Sequence, residues 1–257
     1  MDKGVRGIDN VCLLKSGYLN AITIDYNILF GLPSDTLIDY RYIIENLPHI
    51  YHFIPPFSRT VTIITKFAPL QTNPERFGIS TKPVHDNCYD VLFSQQFLEN
   101  SSFNLDDYAY YFERNFSYKP ELEIHYKQMV QQVDHWKKSH KDRFVELSYI
   151  ELTDNSVEIL DTRFTSEDSY VLKNLPAKIL LLLKNTSPVR IKKLCETLSE
   201  SEGNISEEAV WDAIAILNTK RLLWMEGDLI LALPISREIV DTHKANSWIK
   251  SWPSLYV

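Results

Sequence analysis

Residues 21–36 read AITIDYNILFGLPSDT, and this stretch decides how the rest of the sequence is interpreted. β-Branched and aromatic residues fill it as far as Phe30, which predicts a strand over residues 21–31 covered on both faces, as in a parallel sheet. The sequence Gly31-Leu32-Pro33-Ser34 breaks the strand. Ser34 or Asp35 can then cap a helix over residues 36–47.

The flanking segments extend this pattern on both sides. An amphipathic helix is predicted over residues 5–17, before the first strand, and a second strand over residues 60–67. The order helix, strand, helix, strand is typical of a parallel α/β sheet or barrel, in which ligands bind at the carboxyl ends of the strands. Two strands are too few to close a barrel, so we expect an incomplete sheet with a candidate site in the turn after Phe30.

The middle of the chain, residues 73–115, is rich in aromatic residues and loops. Aromatic residues in an acidic protein are more often core than a stacking platform for bases, and we interpret them as core. A long amphipathic helix is predicted over residues 121–140, with His125, His135 and His140 on its solvated face. A β-hairpin follows, with strands over residues 144–152 and 157–164.

The last part has the most regular pattern. Three short amphipathic helices over residues 177–184, 190–198 and 207–221 precede a hairpin of residues 222–225 and 229–233, which is typical of a winged helix. The third helix begins Ser206-Glu207-Glu208. Carboxylates at that end would face phosphates and base edges at short range, so we favour a docking or capping module over DNA binding.

Composition restricts the function classes further. A formal net charge of −7 without an obvious basic face disfavours nucleic-acid binding. No apolar run has the length of a signal peptide or a membrane span, so we expect a cytoplasmic protein that binds no membrane. Cys12, Cys88 and Cys195 are too far apart in sequence for a zinc, redox or cluster motif, and we predict no metal site. No catalytic residue can be assigned.

An ordered series of short motifs resembles a known family. Residues 27–36 resemble the fifth strand and following turn of radical S-adenosylmethionine (SAM) barrels. Further along, the series continues with HFIPP (52–56), KFAP (66–69), NPERFGI (73–79), LDDYAYYFE (105–113), LDTR (160–163) and GDLILAL (227–233). Together these segments resemble the cobalamin-binding radical SAM enzymes that modify ribosomally made peptides. The resemblance covers residues 4–235.

The resemblance implies a fold, a site and partners. The implied fold is α/β plus α+β: the last two β/α units of a radical SAM barrel (1–80), a helical and hairpin connecting region (81–170), a winged-helix-like domain (171–240) and a C-terminal tail (241–257). SAM would lie near Asn27, Phe30, Gly31, Leu32 and Pro33. Such enzymes hold a four-iron, four-sulfur cluster on a Cys-x-x-x-Cys-x-x-Cys motif and carry a cobalamin domain, and neither feature is present in this sequence.

These absences define the expected function and its alternatives. We expect the C-terminal portion or subunit of a peptide-modifying enzyme, most readily a C-methyltransferase, which binds no cofactor alone and pairs with an N-terminal subunit and a precursor peptide. Ser34-Asp35 stands where Gly-Glu is usual, which bears on the geometry of the SAM-facing turn. The alternatives are a non-catalytic module that binds a peptide or protein, a degraded gene product and a DNA-binding regulator.

Overall fold

The computed structural model describes residues 5–114, 116, 120–164, 168–203 and 205–245. The α-helices in this part of the chain are α1 Gly7–Leu19, α2 Leu37–Asn46, α3 Pro69–Thr72, α4 Gln95–Asn100, α5 Leu105–Tyr108, α6 Glu123–Asp142, α7 Asn174–Leu183, α8 Ile191–Glu202, α9 Glu207–Thr219 and α10 Arg237–Ala245. The strands are β1 Asn27–Phe30, β2 Ser58–Val61, β3 Ile64–Thr65, β4 Tyr111–Phe112, β5 Leu147–Glu151, β6 Val157–Asp161, β7 Asp168–Leu172, β8 Val189–Arg190, β9 Leu223–Glu226, β10 Leu229–Ala232 and β11 Ile235–Ser236.

The chain divides into two units. The larger unit comprises Met1–Asp25, Glu45–Phe57 and Gln132–Val257, and the smaller unit comprises Tyr26–Ile44 and Ser58–Gln131. Small sheets alternate with helices in a mixed α/β arrangement, and the described strands form no closed barrel. None of the described helices is both long enough and apolar enough to cross a membrane.

The smaller unit begins with a parallel pair of strands. β1 pairs with β2 in the register Asn27 to Ser58 and Phe30 to Val61. The connection through α2 is the β/α unit that the sequence predicts. The described residues contain no other strand that pairs with β1 or β2.

Two predictions about these strands are wrong. The first strand spans four residues rather than residues 21–31, and its residues alternate between exposed and half-buried instead of being covered on both faces. Its early part is not a strand because Ala21 adopts a left-handed φ of 52° and the Ile22 amide bonds back to Gly17 at the end of α1. No described layer covers the outer face of β1, where Leu29 remains 45% exposed.

The predicted second strand is divided into two parts. β2 ends at Val61, and Ile64 begins β3, which pairs with β4 in an antiparallel ribbon. Ile64 is fully buried in an aromatic cluster with Tyr89, Leu105, Ala109 and Phe112. The strand leaves the parallel pair because burial in this cluster removes the apolar Ile64 side chain from water.

The prediction that the aromatic residues of segment 73–115 belong to the core is confirmed for only some of them. Tyr89 and Phe112 are buried, and Phe93 and Phe103 pack against them. By contrast, Tyr108, Tyr110 and Tyr111 are each about half exposed, at 54%, 54% and 46%.

The larger unit contains the predicted hairpin and the three C-terminal helices. β5 and β6 pair antiparallel as predicted, and they belong to a four-stranded sheet of order β11-β5-β6-β7. The helices α7, α8 and α9 accompany a three-stranded sheet of order β8-β10-β9. Ser206 caps α9 as predicted, since its Oγ accepts a hydrogen bond from the Ala209 amide at 3.2 Å.

Helix α6 has the predicted apolar face, but not all of its histidines are exposed to solvent as predicted. Met129, Val133 and Trp136 are fully buried. His135 is exposed, whereas His125 and His140 are half-buried, and the Nε2 of His140 lies 2.6 Å from the Tyr51 carbonyl oxygen. The prediction of a solvated His140 is therefore wrong, because the main chain near Tyr51 supplies a carbonyl that the helical pattern alone does not reveal. Of the predicted tail, residues 241–245 belong to α10, and residues 246–257 lie outside the described part.

Candidate functional site

The turn between β1 and α2 is the candidate site. Gly31 follows the last residue of β1 and has a φ of 74°, a left-handed conformation that glycine adopts without a Cβ clash. The Gly31 backbone is buried, while Leu32 and Pro33 are half-buried and Ser34 is exposed. Leu32 and Pro33 in the middle of the turn are therefore partly accessible, while Gly31 at its start is buried.

Asp35 organises this turn through one carboxylate oxygen. Its Oδ2 accepts hydrogen bonds from the amides of Gly31 and Leu32, each at 2.9 Å, and a short one from the Tyr40 hydroxyl. The Gly31 amide also donates to the Tyr40 oxygen at 3.1 Å. Charge-assisted bonds of this kind are stronger than neutral ones. The Asp35 side chain thus satisfies the hydrogen-bond donors of the turn.

Aromatic residues support the turn from below. Tyr40 is only 2% exposed, and its ring meets that of Tyr126 edge to face at 4.7 Å. The Phe30 ring lies 5.5 Å from the same Tyr126 ring. Burial, and next the hydrogen bond to Asp35, raises the pKa of Tyr40, so its hydroxyl remains a donor at physiological pH.

The structure brings four of the five predicted site residues together. Phe30, Gly31, Leu32 and Pro33 are consecutive residues at the carboxyl end of β1. Asn27 lies at the opposite end of the strand, where its Oδ1 accepts bonds from the Ser58 amide at 3.1 Å and the Ser58 hydroxyl at 2.7 Å. Asn27 lies three positions before Phe30, which is about 10 Å along an extended strand. Its side chain therefore connects β1 to β2 at a distance from the turn.

Asp35 limits what the turn can bind. The Gly31 and Leu32 amides would suit an anionic ligand group, but both already donate to the Asp35 carboxylate. A carboxylate or phosphate would have to displace Asp35 from them. The sequence predicted Asp35 as one of two possible helix caps and as a departure from the family pattern, but not as the acceptor of these amides. Its position four residues after Gly31, in a loop that must satisfy amides, is the signal that could have identified this role.

The outer edge of β1 is the second feature of the site. In a parallel ladder the N–H and C=O of one residue point to the same side, and successive residues alternate. The Phe30 oxygen accepts a hydrogen bond from the Thr62 amide at 2.8 Å, so Phe30 faces β2. The N–H and C=O of Leu29 therefore point away from β2, towards an edge on which no described strand lies.

A histidine between two carboxylates is a further polar group of the smaller unit. His85 Nδ1 lies 2.9 Å from Asp106 and its Nε2 lies 3.2 Å from Asp90. The hydrogen bond to Asp106, opposed by partial burial and assisted by Asp90, raises the pKa of His85. No pattern in the sequence pairs these residues, because 21 positions separate His85 from Asp106.

The sequence patterns did not identify the buried polar residues of the larger unit. Arg163 is fully buried, with its guanidinium on Asp161 and on the main-chain oxygens of His49, Arg221 and Lys220. These contacts connect three segments of the unit.

Lys15 lies on the buried side of α1 and is 2% exposed. Its Nζ donates to the carbonyls of Lys184 and Ala232, each at 2.7 Å, and burial lowers the pKa of Lys15 to about 8. Neither this lysine nor Arg163 is accessible to a substrate, so we assign both to stability.

Comparison of the chain with models of known protein families, with curated proteins and with solved structures finds no match.

Proposed function

We propose that this chain is the C-terminal portion or subunit of a cobalamin-dependent radical SAM enzyme that modifies a ribosomally made peptide, most readily by C-methylation. In this proposal a complementary N-terminal chain adds parallel strands beside β1 and brings the iron–sulfur cluster and cobalamin. The turn at residues 30–33 then forms part of the wall around SAM.

The open edge of the parallel strand pair is the observation that carries the proposal. A two-stranded sheet is marginally stable by itself in water, and an exposed edge of unpaired N–H and C=O groups favours pairing with another strand. The residues Ile28, Leu29 and Phe30 have the apolar character of a strand covered on both faces, yet Leu29 is 45% exposed. A partner that pairs with the edge and covers Leu29 accounts for both features.

The chemistry of this chain's side chains does not fit the cluster that the family uses. Such a cluster requires three thiolates at one site. Cys12, Cys88 and Cys195 lie in α1, in the 3₁₀ helix Asn87–Val91 and in α8, and the described residues include no group of three His, Cys, Asp or Glu able to hold a metal. We therefore assign the cluster to the partner chain.

Co-expression with a chain that carries the Cys-x-x-x-Cys-x-x-Cys motif tests the proposal. We expect the two chains to copurify as a stable complex. Leu29→Pro should abolish copurification, because proline removes an N–H that points to the open edge while the bonds between β1 and β2 remain. Leu29→Val keeps that N–H and should copurify normally. A folded monomer that does not associate with the partner would refute the proposal.

A second candidate function is a non-catalytic accessory module that binds a peptide or protein. The order α7, β8, α8, α9, β9, β10 and the sheet order β8-β10-β9 support a winged-helix-like arrangement. Glu207 and Glu208 in the first turn of α9 and the 43% exposed Trp211 favour a protein or peptide over DNA. Capture of a precursor peptide by this chain alone, with no partner chain present, would support this candidate.

A further inference from the structure

Four exposed aromatic residues lie on the segments that adjoin the β3–β4 ribbon. We define the aromatic face as Phe67, Tyr108, Tyr110 and Tyr111. The Tyr110 and Tyr111 rings meet at 5.1 Å, and the Lys66 amide, one residue before Phe67, donates to the Tyr110 oxygen at 2.7 Å. Phe67 is 79% exposed. Singly exposed apolar residues are ordinary, but a group of large aromatic side chains on one surface marks an interaction site.

The core below the aromatic face holds it rigidly. The buried Tyr89 hydroxyl accepts hydrogen bonds from the amides of Tyr110 at 3.0 Å and Tyr111 at 3.1 Å. The Tyr108 ring packs edge to face against Phe93 at 5.2 Å. The backbones of Tyr110 and Tyr111 are therefore fixed, which limits the backbone entropy lost when a partner covers their rings.

The charge around the aromatic face identifies the chemistry of the partner. Residues 84–113 include no lysine or arginine, and their carboxylates are Asp86, Asp90, Glu99, Asp106, Asp107 and Glu113. His85 partly offsets Asp90 and Asp106. Asp107 and Glu113 are exposed beside the tyrosines. Tyrosine faces also attract cations, so carboxylates and rings favour the same kind of ligand.

Lys82 and Arg114 flank residues 84–113 in the sequence, and Lys66 immediately precedes Phe67. The Lys66 ammonium donates to the Asp107 main-chain oxygen and lies 5.6 Å from the centre of the Phe67 ring. The Arg114 guanidinium lies 5.4 Å from the centre of the Phe116 ring. Neither contact neutralises the side-chain carboxylates of Asp107 and Glu113.

We propose that the aromatic face binds a cationic peptide segment with interspersed apolar residues. The apolar side chains would cover the rings, and the basic side chains would reach the carboxylates of residues 84–113. The inference rests on the proposed recognition of a peptide and names the chemistry of that peptide. It does not require the edge of β1, which lies on a different strand pair of the smaller unit.

Fluorescence anisotropy with the full chain and a labelled peptide of alternating Arg and Leu tests the inference. We expect this peptide to bind with an affinity that falls as salt is added, and the counterpart with Glu in place of Arg not to bind. Tyr110→Ser combined with Tyr111→Ser should weaken binding about tenfold or more. Asp107→Asn combined with Glu113→Gln should weaken it and reduce its salt dependence, because the side-chain amides carry no charge.

Three matched controls keep the result interpretable. Circular dichroism melts establish that each variant is folded, and the carboxylate pair tests the site independently if the tyrosine pair unfolds. Phe57→Ser removes a 55% exposed aromatic residue of the larger unit and should leave binding unchanged. Leu29→Pro should also bind normally, so failure of strand pairing and failure of peptide binding are separate results. Equal binding of the Glu peptide, or loss of binding only in Phe57→Ser, would overturn the inference.

Discussion

The buried Lys15 ammonium makes the stability of the larger unit depend on pH. Burial lowers the pKa of Lys15 from 10.5 to about 8, so the unfolded chain holds this proton more tightly than the folded chain does. Below pH 8 the amine is charged in both states, and the full cost of burying the charge is present. As the pH rises towards 10.5 the folded amine is neutral, the cost declines, and stability increases.

The expected size of this effect follows from the two pKa values. Their difference corresponds to about 3 kcal/mol in total, of which about 2 kcal/mol is regained between roughly pH 7.5 and 9.5. Urea unfolding across this range measures the free energy of unfolding. Lys15→Met retains the apolar stem but cannot titrate, so the wild-type free energy should rise relative to that of the variant. A difference between the two proteins that does not change with pH would refute the reasoning.

Three further predictions concern the other polar clusters. Arg163→Met leaves Asp161 buried without its cation and should lower the free energy of unfolding by about 3–5 kcal/mol, measured by chemical denaturation. Asp35→Ala removes the acceptor of two amides and should destabilise the smaller unit by about 1–3 kcal/mol in hydrogen exchange, more than Tyr40→Phe, which removes one hydroxyl. The raised pKa of His85 stabilises the protein below its ordinary value of 6.5 and ceases to do so as the pH rises through the folded pKa, so wild type should lose stability relative to His85→Gln over that range.

Local patterns predicted the regular elements well. Helix α6, the β5–β6 hairpin and the helices α7 to α9 follow from the spacing of their apolar residues, which places those residues on one face of each element. The Ser206 cap is a local interaction that a few residues determine. The parallel pairing of β1 with β2 also followed from the order of elements.

Long-range contacts explain the failures. The break between β2 and β3 depends on the burial of Ile64 with Phe112, which lies 48 positions further along the chain. β7 was not foreseen because its sequence DSYVL is short and half polar, and its strand character comes from pairing with β6. The partners of Arg163 and His140 are main-chain oxygens, which no side-chain pattern in the sequence can reveal.

The turn that follows Phe30 was predictable from the sequence, but its internal bonding was not. Four of the five residues assigned to it are consecutive, so one correct turn brings them together. The Asp35 carboxylate accepts hydrogen bonds from the Gly31 and Leu32 amides, and this geometry depends on the left-handed Gly31 backbone. Asn27 was assigned to the site through proximity in sequence, and the extended strand carries it away from the turn.

Hydrogen exchange at the Leu29 amide, measured with and without the complementary chain, distinguishes an open edge of β1 from a paired one. Because this N–H points to an edge with no described partner strand, we predict fast exchange in the isolated chain and strong protection in the complex. The Phe30 amide, which faces β2, serves as the internal reference. Protection of Leu29 in the isolated chain, or unchanged fast exchange in the complex, would contradict the account.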